Sequence, residues 1–271
     1  MSALPTVSPD WLAVRGAADD LARSRALVDE VRGRLAAGPI VVHDLGSGAG
    51  AMMRWLAPQL PGPQRWVLHD ADARILACVD PEPPLDSAGG AVAVQTSVER
   101  LDELPGGGLA GATLVTSSAL LDVLTEDEAR AVVGACAAAG APVLFSLTVT
   151  GRVRLSPAEI EDGPLQSAFN DHQRRDADGR RLLGPDAVHV TADLFAAAGW
   201  RSRTVGTPWR LGAADRDLMA EWLDGWMSAA VEQRPELRRA ALAYAVRRHA
   251  QLADDTLRVV VHHEDLLAWP A

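Results

Sequence analysis

From Ile40 to Thr150, short apolar runs of strand length alternate with segments whose apolar residues recur at helical spacing. The pattern predicts strands at Ile40 to Leu45, Arg65 to His69, Ala91 to Gln95, Ala112 to Ser117 and Pro142 to Thr150. Between them it predicts helices at Ala51 to Gln59, Ala73 to Val79 and Glu126 to Ala139. Strands that alternate with helices call for crossover connections, hence an α/β fold with a mostly parallel sheet covered on both faces. Ligands of such sheets sit beyond the carboxyl ends of the strands.

Outside this core the pattern changes. Leu21, Ser24, Val28, Val31 and Leu35 recur at helical spacing and predict one amphipathic N-terminal helix over residues 17–37. Residues 151–185 are polar and irregular, with a short helix expected around Phe169 to Arg175, and could overhang a pocket. A helix near Thr191 to Ala198 and a strand near Ser202 to Trp209 follow. Leu218, Trp222 and Trp226, then Leu237, Ala241 and Tyr244, predict two helices split at Pro235, a helical insertion over residues 215–253 before a last strand at Leu257 to His262. Pro81 to Gly90 and Pro105 to Gly111 read as loops. The expected organisation is one domain over residues 1–271, with its ligand-binding core at 40–150.

Composition narrows the partners. A net charge of -10 lacks the basic footprint of a nucleic-acid binder, so a small-molecule substrate is the default and nucleic acid is not expected. Lysine is absent, which excludes Schiff-base chemistry. Cys78 and Cys136 have no metal or disulfide spacing, and Met1 to Asp10 does not read as a leader, so a cytoplasmic location is expected. The uncharged stretch Ala131 to Gly151 is divided by Gly140 and Pro142 into a helix and a strand, so no membrane span is expected.

The chemistry concentrates in His43-Asp44-Leu45-Gly46-Ser47-Gly48-Ala49-Gly50, where a strand ends in spaced glycines and turns into a helix. Without Cβ atoms the backbone admits close approach of a ligand, and N–H groups would line the turn. A nucleotide-like ligand is expected there. Asp70, 20 residues after Gly50 at the end of the second strand, supplies a carboxylate whose two oxygens suit two vicinal ribose hydroxyls. Asp72 reads as a helix cap.

Val41-Val42-His43-Asp44-Leu45-Gly46-Ser47-Gly48-Ala49-Gly50 resembles the first motif of class I S-adenosylmethionine-dependent methyltransferases, over roughly residues 40–150. The resemblance implies a Rossmann-like, seven-stranded, mostly parallel sheet and S-adenosyl-L-methionine as cofactor. It brings Gly46, Ser47, Gly48 and Gly50 to the cofactor's amino-acid part, Asp44 to its methionine end, and Asp70 with Ala71 to the ribose. Thr96, in a Gln95-Thr96-Ser97 segment without the family's commoner Asp, falls near the adenine, and Ser117 falls at the fourth strand's end. The segment Ser117 to Asp122 lacks the motifs of DNA amino-methylating and cytosine C5 enzymes. A dinucleotide-binding dehydrogenase also fits Gly46-Ser47-Gly48-Ala49-Gly50-Ala51, but Asp44, the third glycine and Ser118-Ala119-Leu120-Leu121-Asp122 favour the methyltransferase.

Methyl transfer from a sulfonium is an in-line displacement that needs positioning of the acceptor and, for a hydroxyl or ammonium acceptor, a base. Oxygen and nitrogen acceptors are commoner in the family than carbon. Asp122 is the first candidate base and His172 the second, with Asn170 and His172 as candidate substrate contacts. Each has a structural reading as well: Asp122 as part of a helix start, His172 and Asn170 on an exposed helix face. His43 and His69 are expected to be hydrogen-bonded in the core. His262 and Glu264 could share a strand face, but no metal site is expected from them. Trp209, Trp222 and Trp226 fit core packing better than a substrate pocket. The helical insertion, with the N-terminal helix, would form a lid or a subunit contact, which would allow a homodimer. A non-catalytic protein of the same fold, binding the cofactor without turnover, is the alternative reading.

Overall fold

A computed structural model describes residues 8–101, 108–177 and 179–271, so residues 1–7 and part of the loop expected at Pro105 to Gly111 lie outside the described residues. Ser8 caps α1 (Pro9–Ala22), its Oγ accepting from the Trp11 N–H at 3.1 Å, with Pro9 suited to the first turn. The chain then breaks at Arg23, and Ser24 caps α2 (Arg25–Arg32). Two helices therefore replace the single helix expected over residues 17–37. Leu21, read as part of its apolar face, is 86% exposed. The break has a tertiary cause, because the Ser24 N–H is taken by the buried Asp265 carboxylate at 2.8 Å.

The alternating core follows as β1 (Ile40–Leu45), α3 (Ala51–Leu56), β2 (Gln64–Asp70), α4 (Ala73–Leu76), β3 (Val92–Val98), β4 (Leu114–Ser118), α5 (Glu126–Ala139) and β5 (Val143–Ser156). Thr125 and Glu128 form a capping box at the start of α5, and Gly140 ends it in the left-handed conformation. The expected overhang is more ordered than its polar pattern suggests: β5 runs on to Ser156, then α6 (Asp162–Gln173) and a small hairpin of β6 (Asp176–Ala177) and β7 (Arg180–Arg181) follow. The chain continues with α7 (Ala187–Ala197), β8 (Trp200–Gly206), β9 (Trp209–Leu211), α8 (Arg216–Gln233), α9 (Arg238–Ala253) and β10 (Arg258–Pro270).

The main sheet has the order β3-β2-β1-β4-β5-β10-β8, with β9 also paired to β10. The first five of these strands are parallel, and β10 runs antiparallel to β5, β8 and β9. Strand order reverses between β1 and β4, which opens the ligand crevice at their carboxyl ends. One apolar layer packs α2 and α3 on the sheet through Leu27, Met53 and Trp66, and another packs α5 and α7 through Val133, Phe145 and Phe195. A third joins α1, α6, α8 and α9 to the end of β5 and the start of β10, and Trp209, Trp222 and Trp226 are buried in it. Among the described residues, no helix is long and apolar enough to cross a membrane.

The last strand extends eight residues beyond the expected His262, because Glu264-Asp265 interrupts the apolar pattern that marks a strand. Asp265 is 1% exposed. Opposite it β5 bulges at Leu147, whose φ of +57° turns its N–H off the ladder. That N–H donates to Asp265 Oδ1 at 2.8 Å, as does the Thr207 hydroxyl at 2.8 Å. Burial pushes the Asp265 carboxyl up from its ordinary range, and its donors and Arg23 draw it back. Asp265→Ala orphans the Ser24 and Leu147 amides at once, so it should cost about 3 kcal/mol or more in denaturant unfolding. A loss below about 1 kcal/mol would show that the amides find other partners.

Candidate active site

The turn after β1 is built by backbone that L side chains avoid. Gly46 and Gly48 have φ of +59° and +55°, and a Cβ on Gly46 would come within 2.9 Å of the Leu120 side chain. The turn's N–H groups are largely used internally, contrary to the sequence expectation. Ser47 N–H donates to His69 O at 2.9 Å, Gly48 N–H to Asp70 Oδ2 at 3.0 Å, and Gly50 N–H to Ser47 O at 2.9 Å. The turn therefore ties β1 to β2 and offers close approach rather than a cradle of free amides.

Beyond it lies a cavity of about 780 Å³, within the range of small-molecule sites. Asp44, Gly46, Ser47, Gly48, Asp70 and Ala71 line it together. Asp44 is fully buried between β2 and β4, its Oδ1 accepting from the Thr116 hydroxyl at 2.7 Å while Oδ2 has no partner. Burial pushes its pKa up to about 7, against the Thr116 hydrogen bond and Arg23. Asp70 accepts from the Gly48 and Asp72 amides at 3.0 and 2.9 Å, and Asp72 caps α4 through the Arg74 N–H.

Other expected site residues fall elsewhere. Gly50 turns the chain into α3 and is not part of the lining. Thr96 lies exposed in the middle of β3, opposite Leu68, because that strand continues to Val98. The β3 end thus brings Glu99, Arg100 and Leu101 to the cavity, where the sequence reading put Gln95 to Ser97. Ser117 is buried with its hydroxyl unpartnered, and Ser118 lines the cavity instead. Asp122 sits in a 3-10 turn (Leu121–Val123) beside the lining residues Leu120 and Val123; burial raises its carboxyl and Arg15 draws it back. His172 lies 3.3 Å from Glu232 of α8 and accepts from Arg175 Nη1 at 2.8 Å, and Asn170 donates to Gly151 O at 2.9 Å. Both serve contacts of α6, and the cavity lining includes neither.

The sequence reading put the N-terminal helix, from residue 17 on, into a lid or subunit contact, and missed the turns before residue 17 that reach the cavity. Leu12, Ala13, Arg15, Asp19 and Arg23 all line the cavity. Asp19 accepts from Trp209 Nε1 at 3.0 Å and from Arg15 Nε at 2.8 Å, which docks α1 on β9. Arg23 is buried against the Trp55 ring, bonded to Asp20 at 2.6 Å and Ser118 at 3.2 Å, with its Nε unpartnered. Ser24 as a helix cap was the available signal for this corner. Arg180 pairs with both Glu128 oxygens at 2.9 and 2.6 Å across the wall formed by the hairpin. Among the described residues, the lining contains no residue of α8 or α9.

No protein-family model matches the chain, and no curated relative is found. Solved structures resemble it at low identity. A protein described as a candidate type II methyltransferase from Anaeromyxobacter dehalogenans superposes with a TM-score of 0.53 at 16% identity, over 92% of this chain and 98% of that one. The cyclopropane synthase MmaA2 from Mycobacterium tuberculosis gives 0.49 at 15% identity, over 90% and 83% of the two chains. The strand order, the antiparallel β10 between β5 and β8, and the glycine turn at the switch point give this chain the class I S-adenosylmethionine-dependent methyltransferase fold.

The Asp44 carboxyl makes a testable demand on stability. Its folded pKa of about 7 lies above the unfolded value near 3.8, so its contribution is fully present below pH 4 and lost as pH rises through 7. In the ligand-free protein Asp44→Asn should raise the thermal midpoint more at pH 8 than at pH 5, because the ionisation penalty it removes grows between pH 4 and pH 7. Equal shifts at both values would place the Asp44 pKa outside this window.

Proposed function

We propose that the chain is an S-adenosylmethionine-dependent methyltransferase acting on a small molecule, with oxygen or nitrogen acceptors favoured. The observation that carries the reading is a pair of buried, incompletely bonded opposite charges at one cavity: Asp44 with a free Oδ2 and Arg23 with a free Nε. Such groups are costly unless a ligand completes them. An α-amino acid carries the complementary ammonium and carboxylate, so Asp44 and Arg23 fit its two ends. Asp70 fits the ribose hydroxyls, and Glu99 beside Ala71, Ile75 and Leu101 fits the adenine.

A pyrophosphate fits poorly. Asp44 and Asp70 flank the glycine turn as carboxylates, and the Ser47 and Gly48 amides that would cradle a phosphate are already taken. This disfavours the dinucleotide reading.

Bound S-adenosylmethionine would supply an electrophilic methyl group. The chain's part is to orient and to exclude water: Leu12 of α1 faces Gly48 across the turn, and Leu120 and Val123 continue an apolar wall. Asp122, with its pKa raised by burial, is the group we propose to take the acceptor's proton. His172 and Asn170 of α6 are acceptor contacts in the same reading, although they stand outside the cavity lining. One observation favours the alternative of binding without turnover: neither Asp122 nor His172, the two candidate bases, is in the cavity lining. Release of S-adenosylhomocysteine from a pool of metabolites separates the two readings.

Calorimetric titration should detect S-adenosylmethionine and not NAD. Asp70→Ala should weaken binding by about tenfold to a hundredfold, the range of a charge-assisted hydrogen bond. Because Asp44 must be ionised to meet an ammonium, affinity should be level above pH 7 and fall by up to about tenfold per pH unit below it. A pH-independent affinity from pH 5 to 8 would remove Asp44 from the ammonium site.

A further inference from the structure

His43 and His69 each directly precede a carboxylate of the cavity, Asp44 and Asp70. They are 5% and 3% exposed, and their rings stack at 5.0 Å with an interplanar angle of 20°. His43 Nδ1 and His69 Nε2 share a hydrogen bond of 2.9 Å, and His69 Nδ1 bonds the Glu99 carboxylate through Oε1. The row starts at His43 Nε2, which is buried without a partner, and ends at Glu99 in the cavity lining.

Its polarity follows from the inventory of donors. With the Glu99 carboxylate as acceptor, a neutral His69 donates from Nδ1 and accepts at Nε2, and His43 donates from Nδ1. Burial lowers the His43 pKa to about 4, which keeps that ring neutral. Reversing the row with neutral rings would set the His69 Nδ1 lone pair against the carboxylate. Glu99 itself stands just past the end of an edge strand, fixed in backbone by its N–H to Asp70 O at 3.1 Å. Its side chain, unbraced, would lose rotamer freedom on meeting a ligand.

We infer that His43 and His69 form a hydrogen-bonded brace that holds Glu99 as an acceptor for the exocyclic amine of adenine, so that the site rejects a 6-oxo purine. The inference rests on the proposed reading of the cavity as an adenosyl site. His69 is here a positioning residue, acting through Glu99, and His43 fixes its tautomer. A 6-amino purine donates to the free Glu99 oxygen, whereas a 6-oxo purine sets a carbonyl oxygen against it.

The test compares S-adenosylhomocysteine with S-inosylhomocysteine, which differs by a 6-oxo group, in calorimetric titrations of the full chain. Wild type should prefer the adenosyl ligand by at least about tenfold, the scale of a hydrogen-bonding site facing a mismatched analogue. Glu99→Gln, whose amide can donate as well as accept, should bring the two affinities within about threefold, and His69→Phe should do the same while preserving ring volume. His43→Phe should lower the preference by less, since it frees the tautomer and leaves the Glu99 contact.

Nitrogen-15 spectra of the wild-type histidines give a readout independent of any variant's folding: His69 should be a neutral Nδ1–H tautomer. An unchanged preference in folded His69→Phe, or an Nε2–H tautomer at His69, would overturn the brace. Wild type that binds both ligands equally would overturn it while leaving the adenosyl reading intact. Failure to bind either ligand would overturn both.

Discussion

The buried Asp265 carboxylate is the interaction on which the arrangement around the cavity depends. It accepts from Ser24, Leu147 and Thr207, three segments far apart in sequence, and each bond fixes a local irregularity. The first separates α1 from α2, the second accommodates a bulge in β5, and the third anchors the turn between β8 and β9. The break at Arg23 lets α1 and α2 take separate directions. With it, α1 crosses to the cavity, and Arg23 is left at the corner facing Asp44. A single buried anion can do this because its two oxygens accept three donors, which offsets the loss of hydration.

The same logic governs the cavity. Burying Asp44 and Arg23 in a low-dielectric corner raises the cost of each charge, and neither is fully bonded by the protein. In the proposed function a zwitterionic partner would complete both groups, which is the form preorganisation takes in a site that need not rearrange. The Gly48 amide bonded to Asp70 keeps the glycine turn and the second strand at a fixed separation. Close approach of a ligand to the turn and contact with Asp70 are thereby properties of one rigid unit.

The helical pair α8 and α9 acts at one remove. Trp222, Trp226 and Tyr244 bury themselves with α1, α6, the end of β5 and the start of β10. The pair supports α1, whose other face lines the cavity. Its influence on the acceptor, in the proposed function, passes through the seating of α1 on Trp209 and not through direct contact.

The alternating core was legible in the sequence because strand and helix periods differ and because the central strands carry apolar runs: Ile40 to Val42, Trp66 to Leu68 and Val143 to Phe145 give their own signal. The glycine turn, Asp44 and Asp70 were legible for a related reason, since backbone conformation and strand-end placement are local. What the sequence could not decide was everything fixed by a contact across the fold. Asp265 reads as a strand breaker until Ser24, Leu147 and Thr207 converge on it, and Thr96 reads as a strand end until pairing with β2 carries β3 on to Val98 and delivers Glu99. Arg23, a charged position within the amphipathic helix expected over residues 17–37, is buried where the helix breaks. Periodicity reports the average environment of a segment. The cavity is made where single residues depart from that average, and such departures are set by partners distant in the chain, as Asp265 is from Ser24 and Ser118 from Arg23.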